Sequence, residues 1–133
     1  MAHILVVDDD DLLREVIATA LTQTGHNVFQ AGDGHQAVEL VRANTIDLVL
    51  TDILMPGQEG IETIMQLRFS HPTIRIVAMS GGSPHSKFYL DIASRLGARR
   101  ILAKPFTPAD LLHAITTVLA EPPAPPPLAS ASP

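Results

Sequence analysis

Ile4-Leu5-Val6-Val7-Asp8-Asp9 is an apolar run that ends on two acids, and three further stretches repeat its form. Leu48-Val49-Leu50-Thr51 runs into Asp52, Ile74 to Met79 runs into Ser80, and Ile101-Leu102-Ala103 runs into Lys104. Short apolar runs of this kind, separated by amphipathic stretches of helical period, read as buried strands of a parallel sheet. On that reading the residues that end the runs share the carboxyl edge of the sheet, where open α/β sheets bind their ligands. Three acids, a hydroxyl and an ammonium at one edge suit a divalent cation and a phosphoryl group.

Working outward, strand-like runs fall at 3–7, 27–30, 47–51, 74–79 and 100–103. Amphipathic stretches at 10–24, 34–43, 60–70, 85–96 and 108–120 alternate with them. This predicts an α/β fold, a doubly wound five-stranded parallel sheet with helices on both faces and right-handed crossovers. Gly25 and Gly97 stand just past the first and fourth helical stretches, where a left-handed C-cap favours glycine. Thr107-Pro108-Ala109-Asp110 reads as the start of the last helix, with Thr107 as cap, Pro108 in the first turn and Asp110 at the positive end of the dipole. Met55-Pro56-Gly57 predicts a loop directly after Asp52.

The chain is 133 residues long, which predicts one domain with a self-sufficient core. Its hydrophobic fraction of 46% places it among globular rather than disordered proteins. A net charge of -5 argues against gripping nucleic acid or an anionic membrane surface. With no cysteine, neither a disulfide framework nor a thiolate nucleophile is available. The first apolar run is too short for a signal-peptide core or a membrane span, so the expected location is the cytoplasm. Residues 1–120 are expected to form the folded domain. From 121 to 133 the composition turns proline-rich, six of the chain's eleven prolines lying there, which predicts an extended or disordered tail.

Asp8, Asp9 and Asp52 would stand close together if the sheet forms this way. A like-charge contact near 4 Å costs about 4 kcal/mol at an effective dielectric near 20. Mg²⁺ answers that cost: it takes oxygen ligands and keeps several waters beside one or two carboxylates and a phosphate. An aspartate beside it can attack phosphorus and form an aspartyl phosphate. The metal, Lys104 and the Ser80 hydroxyl would then share the phosphoryl oxygens.

Taken singly, each residue has a plain explanation. Asp8 to Asp11 suit a solvated helix start, Asp52 a loop acid, Ser80 before Gly81-Gly82 a turn, and Lys104 before Pro105 a surface lysine. Independent surface residues have no reason to share one edge, so their joint occurrence favours a site.

Ile4 to Asp9, Asp52-Ile53-Leu54-Met55-Pro56-Gly57, Ser80 after the fourth strand, and Lys104-Pro105-Phe106 together resemble the CheY-like receiver domain of two-component response regulators. The resemblance covers about residues 3–120. It implies a flavodoxin-like (βα)5 fold with strand order 2-1-3-4-5. It also implies that Asp52 is the phosphoryl acceptor, and that Asp9 and Asp52 ligate Mg²⁺ directly while Asp8 acts largely through water. The carbonyl of Leu54 would complete the ligands, Ser80 would take the switch position and Lys104 would pair with the phosphoryl group. A cis Lys104-Pro105 bond is expected. The implied partners are a histidine kinase or histidine phosphotransfer protein and a downstream protein target. The protein is expected to be a regulator rather than an enzyme, with output through protein contact or onward transfer to another histidine protein.

Two positions depart from the family pattern. Ile101 stands where an aromatic residue is common, so the usual ring swing is not available. The segment Gly81 to Ser86, Phe88 and Tyr89 is the expected substitute. Leu54 offers no polar side chain to orient a water, and Leu54→Asn is expected to change the lifetime of the phosphorylated state. Phe88, Tyr89, Leu90, Ile92 and Leu96 read as the core face of a helix, or in part as a partner surface rimmed by Arg95, Arg99 and Arg100. The six histidines show no metal-ligand spacing.

Three rival readings remain. An aspartate-nucleophile phosphohydrolase needs a second acid two residues on, which Asp8 and Asp10 satisfy but Asp52 and Leu54 do not. A nucleotide or flavin module needs a phosphate loop after the first strand, where this chain places four aspartates. A receiver-like domain that signals without phosphorylation would not need the intact acids and lysine.

Overall fold

The computed structural model describes residues 2–53, 59–81 and 86–122; for Glu59, Ser86, Lys87, Tyr89 and Leu90 it describes the backbone alone. The elements alternate along the chain: β1 (His3–Val7), α1 (Asp11–Gln23), β2 (Asn27–Ala31), α2 (Gly34–Ala43), β3 (Leu48–Asp52), α3 (Glu59–Ser70), β4 (Arg75–Ser80), α4 (Ser86–Arg95), β5 (Arg100–Ala103) and α5 (Pro108–Ala120). All four strand pairings are parallel, in the order β2-β1-β3-β4-β5. This is the expected doubly wound, flavodoxin-like fold.

The burial of each strand follows its place in the sheet. β1, β3 and β4 stand in the middle and are buried along nearly their whole length. β2 and β5 form the edges and are only partly covered. Alternate side chains serve two cores, because successive residues of a strand face opposite sides. Leu5, Val7, Val49, Ile76 and Ala78 pack on one side with Ala37, Val41, Ile64, Leu67 and Ala93. Ile4, Val6, Leu48, Leu50, Val77 and Met79 pack on the other with Ile17, Leu21, Leu111, Ile115 and Val118. Each fully buried aliphatic side chain contributes about 1.5–3 kcal/mol.

The local signals place the helix ends. Thr107 and Asp110 form a reciprocal capping box, with Pro108 in the first turn of α5. Asp10 and Asp33 cap α1 and α2, their side chains accepting from Leu13 N and Gln36 N. Gly25 and Gly97 take positive φ of 94° and 107° just past α1 and α4. β3 and β4 each run one residue further than the apolar pattern suggested, because Asp52 pairs with Met79 and Ser80 with Ala103. Asp52 and Ser80 are therefore the last residues of their strands rather than the first of their loops.

Phe88 is 64% exposed and does not join the core, whereas Leu96 packs against it. The Arg99 guanidinium reaches Glu121 Oε1 at 3.1 Å and the carbonyl of Pro122 at 3.1 Å, at the end of α5. Arg75 donates to the carbonyl of Glu121 at 2.9 Å. The loop expected at Met55-Pro56-Gly57, the segment 82–85, the side chains of Tyr89 and Leu90, and the tail beyond Pro122 lie outside the described residues. Among the described residues no helix is long and apolar enough to cross a membrane.

Candidate functional site

The strand register brings the candidate residues to one edge. Val7 pairs with Thr51, so Asp8 and Asp52 follow side by side at the ends of β1 and β3. Asp52 pairs with Met79 and Ser80 with Ala103, which carries Ser80 and then Lys104 to the same edge. The backbone closes the row: Ile53 N donates to Met79 O at 3.1 Å and Lys104 N to Ser80 O at 2.7 Å. The Lys104-Pro105 bond is cis.

The side chains converge as the edge requires. Carboxylate oxygens of Asp8, Asp9 and Asp52 lie within 4.8 Å of one another. Asp8 is fully buried, Asp52 is 5% exposed and Asp9 faces solvent. Lys104 Nζ donates to Asp8 Oδ2 at 2.9 Å and to Asp52 Oδ2 at 3.0 Å. Burial opposes the ammonium, but the hydrogen bonds and charges of Asp8 and Asp52 outweigh it and raise the Lys104 pKa above its ordinary value. Three carboxylates against one ammonium leave two negative charges, the deficit that a divalent cation supplies. The donors are all oxygen, as a hard cation requires. The acidic cluster therefore fits Mg²⁺.

Asp8 is held at each of its polar groups. Its amide donates to Ala31 O at 3.1 Å, and its Oδ1 accepts from Asp10 N at 2.9 Å. Its carbonyl accepts from Arg14 Nη1 at 2.7 Å. Arg14 was not among the residues that the sequence singled out. Its contact runs through a main-chain oxygen, and no side-chain pattern signals that.

The remaining candidates are placed less completely. Ser80 is 3% exposed at the end of β4, beside the acidic cluster in the row of strand ends. Leu54 lies outside the described residues, so its carbonyl has no described position. Ile101 is half-buried and packs against the core on the α2–α3–α4 side, one row below Asp52 and Met79. A cleft of about 390 Å³ is lined by Leu13, Lys104, Pro105 and Phe106. Leu12 and Val16 of α1 are exposed by 76% and 57%.

Comparison with known proteins gives consistent relatives. The family model of the response regulator receiver domain matches residues 4–116. The transcriptional regulatory protein CpxR of Escherichia coli is 38% identical over 119 residues, which cover 90% of this chain and 50% of CpxR. This chain thus spans about half the length of that relative. Among solved structures, a CheY-like receiver domain protein from Methanospirillum hungatei superposes with a TM-score of 0.83 at 26% identity, covering 90% of this chain and 94% of that one. The response regulator TrrA of Thermotoga maritima, crystallised in complex with Mg(2+)-BeF, superposes with a TM-score of 0.77 at 28% identity, covering 89% and 99%.

Proposed function

The chain belongs to the response regulator receiver domain family of two-component systems, and from that premise we propose that Asp52 accepts a phosphoryl group from a phosphohistidine on a partner protein, with Mg²⁺ held at Asp8, Asp9 and Asp52. The observation that carries this reading is the double hydrogen bond of Lys104 Nζ to Asp8 and Asp52 within a cluster of three carboxylates. A half-buried ammonium against the intended nucleophile marks where negative oxygens would be received.

In the transfer, an oxygen of Asp52 bonds to phosphorus as the donor's phosphorus–nitrogen bond breaks. The electron pair of that bond stays on the imidazole nitrogen, which takes up a proton. Lys104 donates to a phosphoryl oxygen, exchanging one carboxylate partner for the new dianion. Ser80, at the neighbouring strand end, supplies a hydroxyl within the same row. Mg²⁺, when bound, supplies positive charge to the phosphoryl oxygens. The carbonyl of Leu54 is its further candidate ligand.

The partners are a histidine kinase or histidine phosphotransfer protein and a downstream protein target. Exposed Leu12 and Val16 of α1, together with the cleft that Leu13 and Phe106 line with Lys104, offer apolar surface for the phosphodonor. We assign residues 1–120 to the receiver and 121–133 to a proline-rich tail, with output by protein contact in the cytoplasm and no catalytic turnover of its own.

Acetyl phosphate with Mg²⁺ tests the reading. Intact mass should rise by one phosphoryl group in the wild type and not in Asp52→Asn. Labelling that survives Asp52→Asn would move the acceptor elsewhere. Continuous phosphate release in large excess over protein would instead indicate a phosphohydrolase.

A further inference from the structure

The buried carboxylate of Asp8 is oriented from behind. Arg14 Nη1 donates to its carbonyl at 2.7 Å, and Arg14 N donates to Asp10 O at 2.9 Å. Asp10 N returns to Asp8 Oδ1 at 2.9 Å. The guanidinium therefore closes a ring of hydrogen bonds whose last member fixes one oxygen of the Asp8 side chain. The other oxygen faces Lys104 Nζ at 2.9 Å.

The guanidinium is itself tethered. Nε donates to Gln30 Oε1 at 3.2 Å, where β2 ends, and Nη2 pairs with Asp11 Oδ1 at 2.8 Å. Only 16% of the Arg14 side chain is exposed, against 87% of Asp11. Its three donors are thus spread over the turn after β1, the start of α1 and strand β2. The planar fork of arginine can reach three acceptors at once, which an ammonium of the same charge cannot do with the same directions.

We propose that Arg14 is a positioning residue of the acidic pocket: it orients Asp8 through the main chain and thereby sets the affinity for the divalent cation. This rests on the reading of the pocket as the Mg²⁺ and phosphorylation site. The Arg14 guanidinium meets the main chain of Asp8 and the side chains of Gln30 and Asp11, not the carboxylates of the cluster.

The sign of the effect separates positioning from charge. A guanidinium close to a cation site repels the cation, so its removal alone should tighten binding. Loss of Asp8 orientation should weaken binding instead. Titration of Mg²⁺ into unphosphorylated protein, followed by calorimetry, reads this directly. In Arg14→Gln the dissociation constant should rise about threefold or more. The Asp10 amide of the metal-free protein should also shift and exchange faster with solvent by NMR. A dissociation constant that is unchanged or lower overturns the proposal, as does an unmoved Asp10 amide. If Arg14→Gln does not fold, Arg14→Lys decides: it keeps the charge but cannot reach the three acceptors at once, and an unchanged Mg²⁺ affinity there overturns the proposal. Wild-type protein that binds no Mg²⁺ overturns both this inference and the phosphorylation reading; equal binding by wild type and variant overturns this inference alone.

Discussion

Lys104 Nζ lies 3.0 Å from Asp52 Oδ2, joining two residues 52 positions apart in the chain. The same nitrogen lies 2.9 Å from Asp8 Oδ2, 96 positions away. One ammonium thus bridges the ends of β1 and β3 from the loop after β5, across the full breadth of the site. Both carboxylates it meets are buried, so this ammonium lies against groups with little access to water.

Removing the bridge should therefore cost stability before it costs chemistry. In Lys104→Ala, Asp8 and Asp52 keep their burial and lose this ammonium. Breaking a buried pair in this way costs about 3 kcal/mol, the lower end of the usual range because Lys104 is partly exposed. Urea unfolding in EDTA at pH 7 measures the loss. The gain of phosphoryl from acetyl phosphate should also slow by roughly 100-fold to 1,000-fold. An unchanged unfolding midpoint would show that Lys104 does not carry this charge.

Mg²⁺ should stabilise the folded chain through the same cluster. At a concentration ten times its dissociation constant, a cation binding only the native state adds about 1.4 kcal/mol. Thermal unfolding with and without Mg²⁺ reads this increment. Asp9 is the exposed member of the cluster, so Asp9→Asn can lose the increment without disturbing the core. A thermal shift that persists in Asp9→Asn would place the bound cation elsewhere.

Gly60 should tolerate no side chain. A Cβ there would fall within the backbone of Ile53, the residue that follows Asp52. Gly60→Ala must push α3 away from the end of β3, at a cost of about 1–3 kcal/mol. Because the displaced backbone adjoins the acceptor, phosphoryl gain should slow as well. Wild-type stability together with a wild-type rate would contradict the close approach of α3 to β3.

Acid should loosen the N-terminal strand through His26. Its Nδ1 accepts from Ala2 N at 3.2 Å, and burial lowers its pKa below the usual histidine value. The unfolded chain then binds the proton more readily than the folded one. The contribution is fully present above about pH 6.5 and falls as the pH drops through that value toward the folded pKa. Between pH 7.5 and pH 5 the wild type should lose more stability than His26→Gln. Equal losses in denaturant midpoint would remove His26 from the acid response.

The fold was legible because its signals are local. Apolar runs of four to six residues, the Thr107-Pro108-Ala109-Asp110 start and the glycines at 25 and 97 each act within a few residues. Helices 34–43 and 108–120 fall where their patterns place them. The ends of β3 and β4 were short by one residue, since Asp52 and Ser80 are polar and only the neighbouring strand shows that they still pair. Whether Phe88 joins the core or the surface stayed open for a related reason: helical spacing shows which residues share a face, not how far the neighbouring layer reaches across it.

By itself the sequence determined the order of elements, their parallel pairing, and the set of residues at one sheet edge: Asp8, Asp9, Asp52, Ser80 and Lys104. Those follow from side-chain period and from where each apolar run stops. Only the tertiary structure decided that Lys104 bridges Asp8 and Asp52 and that Asp9 alone of the three acids stays in water. Only there does Arg14 hold the carbonyl of Asp8, and Arg99 the end of α5. These contacts depend on register between strands and on main-chain acceptors, and the chain brings such groups together only when the sheet has closed.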